Sequence, residues 1–186
     1  MDLMGLALKI LEIYAPPGIK KRILRELYLA TARAFGAPPP RGLSRLSHAA
    51  LLESYASFTG SQTERVLQDA ERTALVEERL YLNARALGER LKRALRLRTT
   101  GEVLAVSRIL YAALGIDFEG REPGEVIIRR CYFSRFYTAD ICRVMSSADA
   151  GVAAGLSGSG SLAFSQRITE GGDVCRARLV FGEPGR

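Results

Sequence analysis

Apolar residues recur at spacings of three and four through roughly the first 115 positions and then give way to short alternating runs, so the chain changes from helical to strand periodicity partway along. The first segment, Leu3 to Tyr14, is apolar almost all round and stops at Ala15-Pro16-Pro17-Gly18, which predicts a short helix buried against other helices or against a partner subunit. From Ile19 to Phe35 the residues Ile23, Leu24, Leu27, Tyr28, Thr31 and Phe35 form one stripe of a second helix, ended by Gly36 and Pro38-Pro39-Pro40. Ser44 can cap a third helix carrying Leu51, Tyr55 and Phe58, with Gly60 as its left-handed terminator. Ser61-Gln62-Thr63-Glu64 has capping-box spacing and predicts that a fourth helix starts there and runs to Arg98, bent or broken near Gly88. Thr99 and Glu102 repeat the box ahead of a fifth stripe, Val103, Val106, Ile109, Leu110 and Ala113, closed by Gly115.

Beyond Gly115, Gly120, Pro123 and Gly124 separate Ile116–Glu119 from Glu125–Ile128, the pattern of a hairpin. A sixth helix is predicted from Thr138 to about Gly155, with Ile141, Val144, Met145, Ala148 and Val152 on one side. Two more strands, Leu162 to Ile168 and Val174 to Phe181, flank the turn Thr169–Asp173. The expected fold is therefore α+β: one domain over 1–186, with helices over 1–115 followed by a ββαββ module over 116–186 bearing an antiparallel sheet.

A length of 186 residues suffices for one well-filled core. Leu3 to Tyr14 is too short to cross a bilayer and nothing in it reads as a secretory signal, so no membrane partner is expected and the cytoplasm is the expected location. Three widely spaced cysteines do not make a disulfide framework, and reduced thiols are expected. The net charge of +7 would by itself suggest nucleic acid, but the arginines are interleaved with Asp and Glu. The densest run, Arg90 to Arg98, falls at a predicted helix end, where it complements the macrodipole, so no nucleic-acid partner is expected. The apolar first helix suggests an interface, as in a homodimer.

The candidate chemistry lies in the module. The glycine-rich stretch Gly155–Ser161 follows a helix and enters a strand, the reverse of a phosphate-cradling loop, and reads as a flexible connector or as a site of close backbone packing. His48, the only histidine, sits in a helix without a local catalytic signature and reads as structural or surface. Cys131, Cys142 and Cys175 fall on three neighbouring elements, and a free cysteine is first of all a small buried hydrophobe. Two functional readings use them. As a metal centre, the three thiolates would need a fourth ligand such as Asp140, Asp149 or Glu170, and zinc or an iron–sulfur cluster would suit such donors. As a nucleophile, Cys142 near a helix N-terminus, with Arg135 and Arg143 close in sequence, would have its thiolate favoured, against the opposing charge of Asp140. Asp149, two helical turns on, would share its face and could move protons.

The stretch Val126-Ile127-Ile128-Arg129-Arg130-Cys131, then Cys142 and Asp149, then Leu162 through Cys175 with Gly172-Asp173-Val174-Cys175, resembles the C-terminal part of the L-2-amino-thiazoline-4-carboxylic acid hydrolase-like family. The spacing of Cys142 and Asp149 is wider than the family's. The order of elements also looks like the vinyl-reductase-like ligand-binding domains related to transport-particle subunits, which are binding modules. The first resemblance implies hydrolytic opening of a small cyclic amidine that carries a carboxylate. Cys142 would be the nucleophile, Asp149 or Glu170 the proton carrier, and Arg130 or Arg167 the partner of the substrate carboxylate. The second implies a small-molecule ligand without catalysis.

Overall fold

The computed structural model describes residues 15–181. The predicted first helix and its interface lie outside these residues. Helix α1, Pro17–Phe35, begins with proline at its first positions, where no amide partner is needed, and ends at Gly36 in the left-handed region (φ 63°). Its buried Leu24, Tyr28, Thr31 and Phe35 are the predicted stripe. Helix α2 runs from His48 to Val66 and is capped by Ser47, whose hydroxyl accepts from the Ala50 amide at 3.2 Å.

Helix α2 passes straight through Gly60, and the expected break at that residue does not occur. Buried Tyr55, Ala56, Thr59, Thr63 and Val66 carry one face of the helix across the glycine, and their packing outweighs the ~1 kcal/mol that glycine costs in a helix interior. The next helix, α3, therefore starts later, at Ala70, capped by Asp69 through the amides of Glu71 and Arg72, and extends unbroken to Leu95. Lys92 and Arg93 occupy its last turn, as the charge pattern suggested. Helix α4, Thr100–Ala113, has the full Thr99/Glu102 capping box.

Strands β1 (Ile116–Arg121) and β2 (Glu125–Cys131) form a hairpin, a 3₁₀ turn follows at Tyr132–Arg135, and helix α5 spans Ala139–Ser157. Strands β3 (Ser161–Gln166) and β4 (Cys175–Val180) complete one antiparallel sheet of order β1-β2-β4-β3. The architecture is thus α+β, with helices preceding a ββαββ unit.

One face of the sheet carries Phe118, Val126, Ile128, Cys175, Ala177 and Leu179 into the core beneath α4 and α5. The other is a solvent-facing ladder in which Glu119 pairs with Arg121 and Arg129, contacts that contribute little to stability.

Helices α3 and α5 cross at very close range. A Cβ built on Gly151 would sit 2.2 Å from the Tyr81 carbonyl oxygen, and one on Gly155 2.3 Å from that of Arg85. Gly88 of α3 faces the same contact, 2.7 Å from the Val152 carbonyl. Gly88 is thus a packing residue rather than the expected bend. No helix among the described residues is long and apolar enough to cross a membrane.

Candidate functional site

Three apolar clusters build the interior: one between the sheet, α4 and α5, one around Tyr28, Tyr55 and Phe133, and one joining the ends of α1 and α2 to α3 and α5. Where they meet, packing is incomplete and a cavity of about 110 Å³ remains. Leu110 and Val152 of the first cluster, Tyr55 and Phe133 of the second, and Leu80 and Met145 of the third all contribute to its wall. Cys131, Cys142 and Asp149 reach the same cavity. Two of the three cysteines and the candidate carboxylate are therefore brought together from separate elements.

A local irregularity puts Cys131 there. Strict alternation along β2 from the inward-facing Val126 and Ile128 would turn Arg130 inward and Cys131 outward. The β1–β2 register shifts between Asp117 and Phe118, so that Phe118 pairs with Ile128 but Asp117 with Arg130. The extra residue on β2, Arg129, reverses the facing of the strand end, leaving Arg130 exposed and turning Cys131 to the cavity. The same end of the sheet has a second shift, between Phe164 and Gln166, just before Arg167. The Arg167 guanidinium lies 4.8 Å from the centre of the Phe164 ring and within electrostatic reach of Asp149 and Cys142.

Asp149 is the polar pole of the site. Burial pushes its carboxyl up to about 6, against the opposing effects of the Tyr111 hydrogen bond and the Arg167 charge. Tyr111 donates its hydroxyl to Oδ1 at 2.8 Å. The second oxygen has no protein donor among the described residues, and Asp149 lines the cavity.

The tyrosines in the wall are satisfied within the protein, Tyr55 by Thr31 at 3.0 Å and Tyr137 by Thr59. Burial raises the hydroxyl pKa of Tyr111 and Tyr137 well above 10 and that of Tyr55 to about 12, so all three are neutral. The sequence pattern marks Tyr55 as part of an apolar helical stripe, but none of the three as a residue of the site. The available signal was a tyrosine adjoining an apolar helical stripe, as Tyr111 does, because a buried phenol needs a hydrogen-bond partner.

The thiols differ from the expectation of an activated nucleophile. Burial raises the Cys142 pKa and the Asp149 charge adds to this, with only partial offset from Thr169, Arg167 and Ser146. The helix terminus does not help the sulfur, because the Cys142 amide is already bonded to the Thr138 carbonyl at 3.0 Å. Arg143 faces outward, where it pairs with Asp140 at 2.7 Å and Glu170 at 2.9 Å. Burial takes Cys131 to about 12. Cys175 is buried on the core face of β4, its sulfur accepting from the Ile168 amide at 3.4 Å, and its pKa is also raised by burial.

The expected metal centre is not assembled. Among the described residues no three His, Cys, Asp or Glu side chains are grouped to hold a metal ion. Zinc and iron–sulfur clusters bind thiolates, and burial raises the pKa of all three thiols, which disfavours that form. The proposed fourth ligands Asp140 and Glu170 are drawn to the surface by Arg143.

Glu170 accordingly lies outside the cavity wall, as does Arg130, which pairs with Asp117 at 3.5 Å on the surface. Arg167 is mostly buried and is held between Asp149 inside and Glu170 outside, 3.7 Å from the latter. His48 is not part of the cavity wall; its Nε2–H donates to the Ala113 carbonyl at 2.8 Å, fastening the start of α2 to the end of α4. Within the Gly155–Ser161 stretch, residues 155–157 complete α5, with Gly155 packed against α3, Ser161 begins β3, and only residues 158–160 connect them; Lys92 donates to the Ser157 carbonyl at 2.9 Å.

No protein-family model matches the chain, and no curated protein matches it at a significant level.

Proposed function

We propose that this protein binds a small, largely apolar molecule in the cavity at the junction of the three clusters, and that the ligand offers a hydrogen-bond donor to Asp149. The observation that carries this reading is a buried carboxylate lining a mostly apolar chamber, with one oxygen bonded to Tyr111 and no second donor among the described residues. Unfilled apolar surface in the chamber forgoes packing contacts, and an ionised buried carboxylate carries a desolvation cost. Both are features that a ligand would offset. The size suits a compact molecule well below the ~300–1,000 Å³ of drug-sized sites. Free cysteines fit a reducing compartment such as the cytosol.

A hydrolytic reading has one favourable observation, that Cys142 and Asp149 face the same chamber. It requires the Cys142 thiolate, which burial disfavours, so binding is the better-supported function.

The test is a ligand-observed NMR screen of small hydroxyl- and amine-bearing fragments against the wild type, Ala148→Phe and Asp149→Asn. Binding that is lost when Ala148→Phe fills the chamber and weakened in Asp149→Asn supports the reading. Fragments that bind all three proteins equally, or none that bind, overturn it. Turnover of a thiazoline carboxylate that disappears in Cys142→Ser with folding intact would establish the hydrolytic reading in its place.

A further inference from the structure

A second concavity lies on the outside of the same wall. It is an open groove of about 470 Å³ at the end of the β1–β2 hairpin, and it includes Asp117, Arg130 and Arg135. Two residues, Ile116 and Cys131, line both this groove and the internal cavity. They are register partners in the β1–β2 ladder, at the end of the sheet and next to the bulge that turns Cys131 inward. At this point groove and chamber thus share a pair of residues at a ladder end, where pairing stops and local opening is cheapest.

The groove and the chamber have opposite polarity. Asp149 is the acidic group inside. Outside, the Arg135 guanidinium lies over Tyr132, 4.4 Å from the ring centre, and 5.6 Å from that of Phe136, and it pairs with no carboxylate among the described residues. Arg130 is beside it, with Asp117 answering only one of the two positive charges. An anion presented to this site would be repelled by Asp149 and attracted by Arg135, which permits one orientation only.

We infer that the groove is the vestibule of the binding chamber, that the ligand is a short amphipathic carboxylate, and that it passes the Ile116–Cys131 pair with its apolar body inward and its carboxylate held by Arg135. The inference rests on the cavity-binding reading and adds to it the route, the anionic end of the ligand and the residue that selects it. Arg135 recognises the anion with a guanidinium that rests on an aromatic ledge, which reduces the side-chain entropy to be lost on binding.

The experiment compares 6-hydroxyhexanoate with 1,6-hexanediol, which share a chain and an inward hydroxyl but differ in charge at the outer end. Affinities are measured by NMR titration at low and high salt. The wild type is expected to favour the carboxylate about ten-fold, which corresponds to one charge-assisted contact. Arg135→Glu should abolish or reverse that preference, and Arg135→Gln should abolish it, while diol affinity stays within about two-fold in both because no contact to the neutral chain is changed. Salt should weaken carboxylate binding alone. Ile116→Trp, which thickens the partition, should slow association of both probes.

Equal binding of the two probes by the wild type, or a preference that survives Arg135→Glu, overturns the vestibule inference and leaves the cavity reading standing. If neither probe binds and the fragment screen also finds nothing, the cavity reading fails and takes this inference with it. Unaltered association rates in Ile116→Trp would overturn the assigned route.

Discussion

The hydroxyl of Tyr111 donates to Asp149 Oδ1 at 2.8 Å across 38 positions of sequence, coupling the helix before the sheet to the helix within the ββαββ unit. Tyr111 is itself held by stacking on Phe118 of β1, ring centres 4.8 Å apart and planes 16° from parallel. Sheet, α4 and α5 therefore converge on one carboxylate. A single neutral donor reduces the cost of its burial without removing it, and the residual cost sets the pH response of the fold.

Asp149→Asn should change that response in a defined direction. The carboxyl binds its proton more tightly folded, near pH 6, than unfolded, near 3.8, so between these values the native state holds more protons. Stability from this group is then complete below about pH 4, falls as pH rises toward 6, and is flat beyond. A shift of about two units corresponds to ~3 kcal/mol at most. Asp149→Asn keeps an oxygen for Tyr111 and removes the charge, so at pH 8 it should be more stable than the wild type by about 1–2 kcal/mol, with the decline between pH 4 and 6 absent. Urea unfolding across that range measures both. A variant less stable at pH 8 would mean that the ionised carboxylate is better solvated than its surroundings indicate.

The thiols should be slow. Only thiolate reacts appreciably with iodoacetamide, and burial raises all three cysteine pKa values. In the native protein at pH 8, Cys131 and Cys142 should be alkylated at less than about a tenth of the rate of an exposed cysteine. Denaturant should remove the difference. Mass spectrometry of peptides from timed alkylation reports each site separately, and fast native labelling of Cys142 would restore the nucleophile reading.

The parts of this arrangement that could be read in the sequence are those set by neighbours along the chain. Gly36, Gly115, Pro123 and Gly124 mark ends that local conformational preference dictates, whereas the expected separator Gly120 is paired within β1, where a Cβ would stand 2.7 Å from the Leu104 side chain; at Gly124 (φ 121°) a Cβ would lie on the Leu179 carbonyl as well. The seven-residue spacing of Cys142 and Asp149 places both on the cavity side of α5 because helical period alone decides it. What escaped was decided across the fold. A one-residue register shift carries Arg130 out and Cys131 in, and β-strand alternation without the shift gives the reverse. Arg143 adjoins Cys142 in sequence but not in space, since consecutive helical residues face apart, and its pull on Glu170 removes that carboxylate from the site. Burial, which no local pattern expresses, turns an expected thiolate into a thiol.

Glycines inside helices give the sharpest separation between local and tertiary causes. Gly60 was expected to end a helix, yet it lies within α2, and a Cβ there meets nothing within 4 Å. Gly60→Ala should therefore stabilise the protein by about 0.5–1 kcal/mol, through lost backbone freedom in the unfolded chain. Gly151 is also helical, but its Cβ would stand 2.2 Å from the backbone oxygen of Tyr81 and 3.0 Å from the Ala84 side chain. Since the obstacle is main chain, Gly151→Ala must push α3 and α5 apart, and overpacking of this kind costs about 1–3 kcal/mol or more. Ala84 and Val152 line the chamber from the two helices, so the displacement should also widen it and weaken ligand binding. Denaturation midpoints of the two variants, measured beside fragment affinity, test the pair: opposite signs are expected for stability, with binding altered only in Gly151→Ala. Equal stabilisation by both would show that the close crossing of α3 and α5 is not what those glycines serve.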